Sequence, residues 1–270
     1  LANLPALEQN ILQNLMSADK RPSRKPNVIA GYALLASTCL IHLSGTTTAG
    51  TVPALITNSS SPVRKPGKKL IFSENFTTLD TLKWRVEMEP QPNSSVAAKH
   101  GKLVLDTRGG VTVWLKQPLR GNLQIEYTRK VLVAGQPNDR LSDLNQFWMA
   151  SEPTGTTLAR RSGKFEDYDQ LPMYYVGIGG NTNTTTRFRK YQRDGERKLL
   201  QEYLDAAHLL APNKEYHIKT IVRDGTTSFW VDGRCYFTYQ DPAPLQEGYF
   251  GFRSTKAHQE IADFRVYQLK

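Results

Sequence analysis

The chain has 270 residues, 39% hydrophobic and 10% aromatic, which is ample for a packed core and too apolar for a disordered protein. Its 19 glycines and 15 prolines exclude collagen-like and low-complexity architectures, and its two cysteines, Cys39 and Cys235, exclude a disulfide scaffold and a cysteine-based zinc site. The formal net charge is +10; six Lys/Arg against Glu8 and Asp19 put +4 of it before residue 66 and leave +6 for the rest, an excess that suits an anionic ligand.

In chain order, residues 16–54 read as an export signal. A basic stretch (Lys20, Arg21, Arg24, Lys25) precedes an apolar run over 28–43 and then small residues over 46–50. Met16 is the expected start, with 1–15 an upstream extension. The apolar run contains His42 and several Ser/Thr and is shorter than the roughly 20 residues of a membrane span, so a cleaved leader is expected, with no membrane association beyond it. The protein is then periplasmic or secreted. Residues 55–68, rich in Ser, Pro and Lys, read as a linker. The folded domain is expected over 69–270.

Within that domain, short β-rich runs alternate with Gly, Pro, Asn and Asp. Strands are predicted over 103–105, 111–115, 123–133, 173–178, 184–191, 216–222, 228–231, 236–239, 249–253 and 261–269. Asp224-Gly225 and Asp232-Gly233 mark two hairpin turns. One short helix is predicted over 198–210, where Leu199, Leu200, Tyr203, Leu204 and Ala207 make one stripe ended by Pro212. The fold class is all-β: a two-sheet antiparallel β-sandwich with one short helix.

The runs Leu70-Ile71-Phe72-Ser73-Glu74-Asn75-Phe76, Phe229-Trp230-Val231-Asp232-Gly233 and Gly248-Tyr249-Phe250-Gly251-Phe252-Arg253, with the closing Ala262-Asp263-Phe264-Arg265-Val266-Tyr267, carry a resemblance. They are similar to the concanavalin A-like lectin/glucanase superfamily, over nearly all of 70–270. That resemblance implies a jelly roll whose concave face holds sugars. The central block, 138–148 and 174–191, also resembles an uncharacterised bacterial domain family found in carbohydrate-degrading contexts.

The densest polar chemistry lies between Asn138 and Tyr191. Period-two geometry puts Tyr175, Gly177 and Gly179 on one side, and Thr185, Arg187, Arg189 and Tyr191 likewise, opposite Tyr174, Val176, Ile178, Thr186 and Phe188. Asp143, Asn145 and Phe147 alternate with Leu144, Gln146 and Trp148. Carboxylate, amide and guanidinium groups recognise sugar hydroxyls and acids, and an aromatic ring stacks on a pyranose. Arg187, Arg189, Asn145, Asp143, Tyr191 and Trp148 are therefore the candidate substrate contacts, although a core role for Trp148 fits its apolar setting better. The implied partner is a polysaccharide or oligosaccharide, acidic because two arginines on one strand face repel unless an anion is near.

Cleavage would proceed by lyase-type β-elimination, with arginine and amide neutralising a uronate carboxylate and Tyr175, Tyr174 or His258 moving protons. His258, expected in a loop before the last strand, could reach over the groove. The tyrosine would need neighbouring arginines to favour its phenolate. Two alternatives stay open: a non-catalytic carbohydrate-binding module, and a glycoside hydrolase of the same fold. The Glu-x-Asp-x-x-Glu pattern of jelly-roll glucanases is missing, and Glu166-Asp167-Tyr168-Asp169 reads as a loop. No zinc motif is present and no cofactor is implied; the resemblance allows a structural calcium. Nucleic acid is not an expected partner, given the leader.

Overall fold

The computed structural model describes residues 67–155 and 157–270. The expected export signal, Cys39 and the linker up to residue 66 lie outside the described residues. Fourteen strands follow in order: β1 (Lys68–Glu74), β2 (Trp84–Met88), β3 (Ser95–Lys99), β4 (Lys102–Leu115), β5 (Leu119–Arg120), β6 (Leu123–Leu132), β7 (Leu144–Ala150), β8 (Met173–Gly179), β9 (Thr185–Tyr191), β10 (Arg197–Tyr203), β11 (Glu215–Arg223), β12 (Thr226–Val231), β13 (Arg234–Gln240) and β14 (Glu247–Leu269).

All pairings between these strands are antiparallel, and they build a jelly-roll sandwich. One layer runs β10-β9-β8-β7, then the first part of β14, the second part of β4, and β2. The other runs β13-β12-β11-β6, then the second part of β14, and β1. β14 joins the layers because it bends at two bulges, where Lys256 and Asp263 take positive φ and shift the register.

The core forms where both layers turn their apolar alternation inward. On β6, Leu123, Ile125, Tyr127, Arg129 and Val131 are buried while their neighbours are half-exposed. On β11, Tyr216, Ile218, Thr220 and Val222 do the same. An aromatic cluster fills the space between: Trp84 stacks on Phe252 at 5.7 Å and Tyr127 meets Phe252 edge-on at 5.0 Å. β7 and β8 differ, since every residue on both is buried. Their second face is covered by residues 157–172, whose Leu158, Tyr168 and Leu171 pack against Trp114, Phe147, Tyr175 and Tyr191.

Two expectations are corrected. The helix predicted over 198–210 is the edge strand β10, paired to β9 from Arg197↔Tyr191 to Tyr203↔Thr186, followed by a 3-10 turn at Ala206–His208. Its apolar stripe is split: Leu200 and Tyr203 pack against the core, while Leu199 is 48% exposed and Leu204 64%. The short helix lies instead at Gly180–Asn183, where Asn181 and Thr182 have left-handed backbone. Likewise 254–260 is no loop but the middle of β14, paired with both β4 and β6.

Candidate functional site

β7, β8 and β9 are neighbours, and their registers pair Asn145 with Gly177 and Gly177 with Arg187. The alternation that sends Trp148, Tyr174 and Phe188 into the core therefore sends Asn145, Tyr175, Arg187 and Arg189 to the opposite face. There they line a cavity of about 340 Å3 together with Asp143, Gly177 and Phe165. The turn residues Asn181 and Thr182 close one side, and Arg140 and Thr255 another.

The charges of this cavity are partly spent on each other. Asp143 accepts from Arg140, which also donates to the carbonyls of Thr255 (2.5 Å) and Lys256 (2.9 Å). Arg187 donates to Glu202, its cross-strand partner on β10. Arg189 forms no ion pair among the described residues, and its buried Nε has no partner. Asn145 Oδ1, Tyr191 Oη and Arg253 Nε on the same face are buried and unpartnered too. Buried polar atoms normally find a partner, and two of these four, Arg189 Nε and Asn145 Oδ1, belong to residues that line the cavity, while Tyr191 and Arg253 lie behind its lining. A second, larger cavity of about 420 Å3 beside Tyr174 differs in this respect. Its Asn122 and Asp224 bond each other at 2.9 Å, and its Asp241 is held by Lys190 at 2.7 Å.

Beneath the first cavity lie two buried arginines that motif reading missed. Arg129 donates to Gln259 Oε1 (2.7 Å), the Asn145 carbonyl (2.7 Å) and the Arg253 carbonyl (2.9 Å); burial pulls its pKa down to about 10. Arg253 donates to the Gly163 carbonyl (2.5 Å), and burial lowers its pKa too. The signal for Arg253 was an arginine closing the Gly248–Arg253 run, out of phase with Phe250 and Phe252; the signal for Arg129 was an arginine in phase with Ile125 and Tyr127.

Several expected site residues lie elsewhere. Tyr174 faces the core side, where its hydroxyl donates to Asp241 at 2.5 Å and accepts from the Leu245 amide at 3.2 Å. Trp148 is core, stacked on Phe188 at 5.7 Å, with Nε1 donating to Thr227 Oγ1 at 3.1 Å. His258, fixed in β14, sits 3.2 Å from Asp139, whose carboxylate also caps the amides of Ala134 and Gln136; it does not reach over the groove. Tyr191 shares the cavity face but is fully buried, 6.4 Å from the Phe165 ring. The phenolate expected at Tyr175 is also corrected. Burial, reinforced by Tyr191 and Asp143, raises its pKa despite Arg189 and Arg253, so the hydroxyl stays protonated. For calcium, no group of three or more His, Cys, Asp or Glu is gathered among the described residues. Nor, among them, is any helix long and apolar enough to cross a membrane.

The fold is thus a jelly-roll sandwich with a polar cavity on the sheet face turned away from its core. The chain belongs to the family described as a domain of unknown function (DUF6250), whose profile matches residues 105–264. Among solved structures it is similar to a protein of unknown function with galectin-like fold from Bacillus subtilis, at 18% identity and a TM-score of 0.61, covering 76% of this chain and 98% of that one. It is similar also to an endo-beta-1,3-glucanase from Pyrococcus furiosus (9% identity, TM-score 0.54, 76% and 96% covered). A third likeness is to the beta-glucanase of Bacillus licheniformis (13% identity, TM-score 0.51, 77% and 100% covered). At these identities the likeness is one of fold. No curated protein matches the chain.

Proposed function

We propose that this protein binds an acidic carbohydrate in the cavity bounded by Asn145, Tyr175, Arg187 and Arg189, and releases it uncleaved. The observation that carries this reading is the pair of buried, unpartnered polar atoms on residues lining that cavity, Arg189 Nε and Asn145 Oδ1. A guanidinium without a carboxylate partner is matched to a uronate carboxylate, and the neutral phenol and amide beside it are matched to sugar hydroxyls. The half-buried Phe165 supplies a ring for stacking. The two glucanases named above share this fold, which supports a carbohydrate as the ligand class. The export leader expected over 16–54 would put binding in the periplasm or outside the cell.

Binding fits the residues better than cleavage does. Retaining and inverting hydrolysis both need two carboxyl groups facing the scissile bond. β8 offers this cavity Tyr175 and Gly177, Asp143 is tied to Arg140, and Glu166 stands exposed at the rim. Elimination needs a base, and the Tyr175 phenol holds its proton. The test is calorimetric titration with uronate oligomers and neutral glucans, each followed by assays for new reducing ends and for unsaturated products. Uronate binding with no product is expected. Release of reducing ends, or equal affinity for neutral glucans, overturns the reading.

A further inference from the structure

Resting on that reading, we propose that the cavity accepts the end of a glycan chain and excludes its interior. The argument comes from residues 157–172, which run as a strap across the cavity-bearing face. The strap touches one strand after another. Tyr168 lies 5.9 Å from Trp114 on β4 and 5.5 Å from Phe147 on β7, and Phe165 lies 5.7 Å from Tyr175 on β8 and 6.4 Å from Tyr191 on β9. The line crossing these strands is thus filled with rings.

The strap is fastened along its length. Arg85 donates to the Leu158 carbonyl (2.8 Å), Arg161 pairs with Glu152 (3.0 Å), Arg253 donates to the Gly163 carbonyl (2.5 Å), Tyr168 donates to Glu87 (2.9 Å), and Arg197 grips Asp169 (2.6 Å). Lifting it would expose Leu158, Tyr168 and Leu171 and strip these bonds, so it is wall, not lid. Space remains on either side: the polar cavity of about 340 Å3 near Asn145 and Arg187, and a separate one of about 290 Å3 near Trp114, Leu115 and Tyr249. The polar cavity is bounded by the strap residues Phe165 and Glu166 on one side and by the turn residues Asn181 and Thr182 on another. Its volume is at the low end of the roughly 300–1,000 Å3 of small-ligand sites, room for about one or two sugar rings. A threaded polymer needs a trough open at both ends, whereas a terminal ring needs only a blind pocket.

The experiment uses a uronate trimer in three forms: free, blocked at its reducing end, and blocked at its non-reducing end. One block should weaken binding by about tenfold or more while the other leaves the Kd within about twofold, and shearing a long polyuronate at constant mass should raise the bound fraction with the number of ends. Trimer binding that tolerates both blocks overturns this inference alone, as does polymer binding that follows mass instead of ends. Failure of every trimer and polymer to bind overturns the carbohydrate reading itself. Phe165→Ala, which removes a ring from the strap's cavity wall, should shrink the ratio between tolerated and rejected forms; an unchanged ratio overturns the strap as its cause.

Discussion

Arg129 donates from Nη2 to the backbone carbonyl of Arg253 at 2.9 Å, so one fully buried guanidinium positions the main chain of a second arginine that lies under the cavity. The same head group holds the Asn145 carbonyl, and thus one cation ties β6, β7 and β14 together where the two layers meet. Arg129→Met keeps much of the volume but strands two carbonyls and the Gln259 amide oxygen. Urea unfolding should show a loss of about 3 kcal/mol, following the cost of buried acceptors left unmade. Equal or greater stability would mean that the arginine is dispensable to the fold.

Arg187 and Arg189 should not be equivalent. Arg187 is already paired with Glu202, and Arg189 has no carboxylate. Arg189→Ala is expected to weaken uronate binding by about tenfold or more, as befits a charge-assisted hydrogen bond worth roughly 1.5–3 kcal/mol. Arg187→Ala should cost less. Titration calorimetry on both variants decides, and the reverse order would move the anion contact away from Arg189.

Gly177 keeps the cavity floor open. A methyl group there would overlap the Tyr175 hydroxyl and come within 2.6 Å of Asn145 Oδ1, pushing both from their places. The strand itself accepts alanine, so Gly177→Ala should fold, with a stability cost of about 1–3 kcal/mol from overpacking. Carbohydrate binding should be lost. A variant that binds as well as the parent would show that neither Tyr175 nor Asn145 touches the ligand.

The turn at Gly180–Asn183 carries strain at its rim. Thr182, a β-branched residue, has φ 59° and ψ 50°, a conformation that costs an L-residue roughly 1–2 kcal/mol. Thr182→Gly relieves it, less the extra freedom glycine has when unfolded, for a net gain of about 0.5–1 kcal/mol. Affinity should fall at the same time, because Thr182 lines the cavity. Thermal melting and titration together read both effects, and a variant that is less stable would refute the strain.

Acid should loosen the core beside Tyr174. Burial of Asp241 works to raise its pKa, but hydrogen bonds from Lys190, Tyr174 and the Ala243 amide outweigh it, and the carboxyl ends below its ordinary value. A carboxyl depressed in the folded state contributes stability that is fully present above its unfolded pKa near 4 and is lost as pH falls through the folded value. Glu152, paired with Arg161, and Glu260, held by Lys102 and Lys130, act in the same direction. Melting temperature should therefore drop below about pH 4. Asp241→Asn should be less stable at pH 7 and show a shallower acid slope; an unchanged slope would remove Asp241 from the account.

The faces of β7, β8 and β9 were legible in the sequence because strand alternation is strict, and it correctly grouped Asn145, Tyr175, Arg187 and Arg189. The same parity wrongly admitted Tyr191, since alternation assigns a side and says nothing about what lies on top of it. The cover comes from 157–172, whose Leu158, Phe165, Tyr168 and Leu171 follow no period and so gave no strand or helix signal. β10 was misread because Leu199, Leu200 and Tyr203 have helical spacing, while pairing to β9 with a bulge before Gln201 sets the actual conformation. His258 was misplaced because the polar run over 254–260 lacks an apolar alternation, although no Gly or Pro interrupts it and the strand carries on through the bulge at Lys256.

β14 gives the fold a further property. Its 23 residues serve first one layer and then the other, so the two sheets cannot part without breaking this strand's own pairings. Pulling the C-terminus would unzip the contacts to β1 and β6 together, then those to β4 and β7, and at the last stage those to β5, so force applied there meets both halves of the molecule in series.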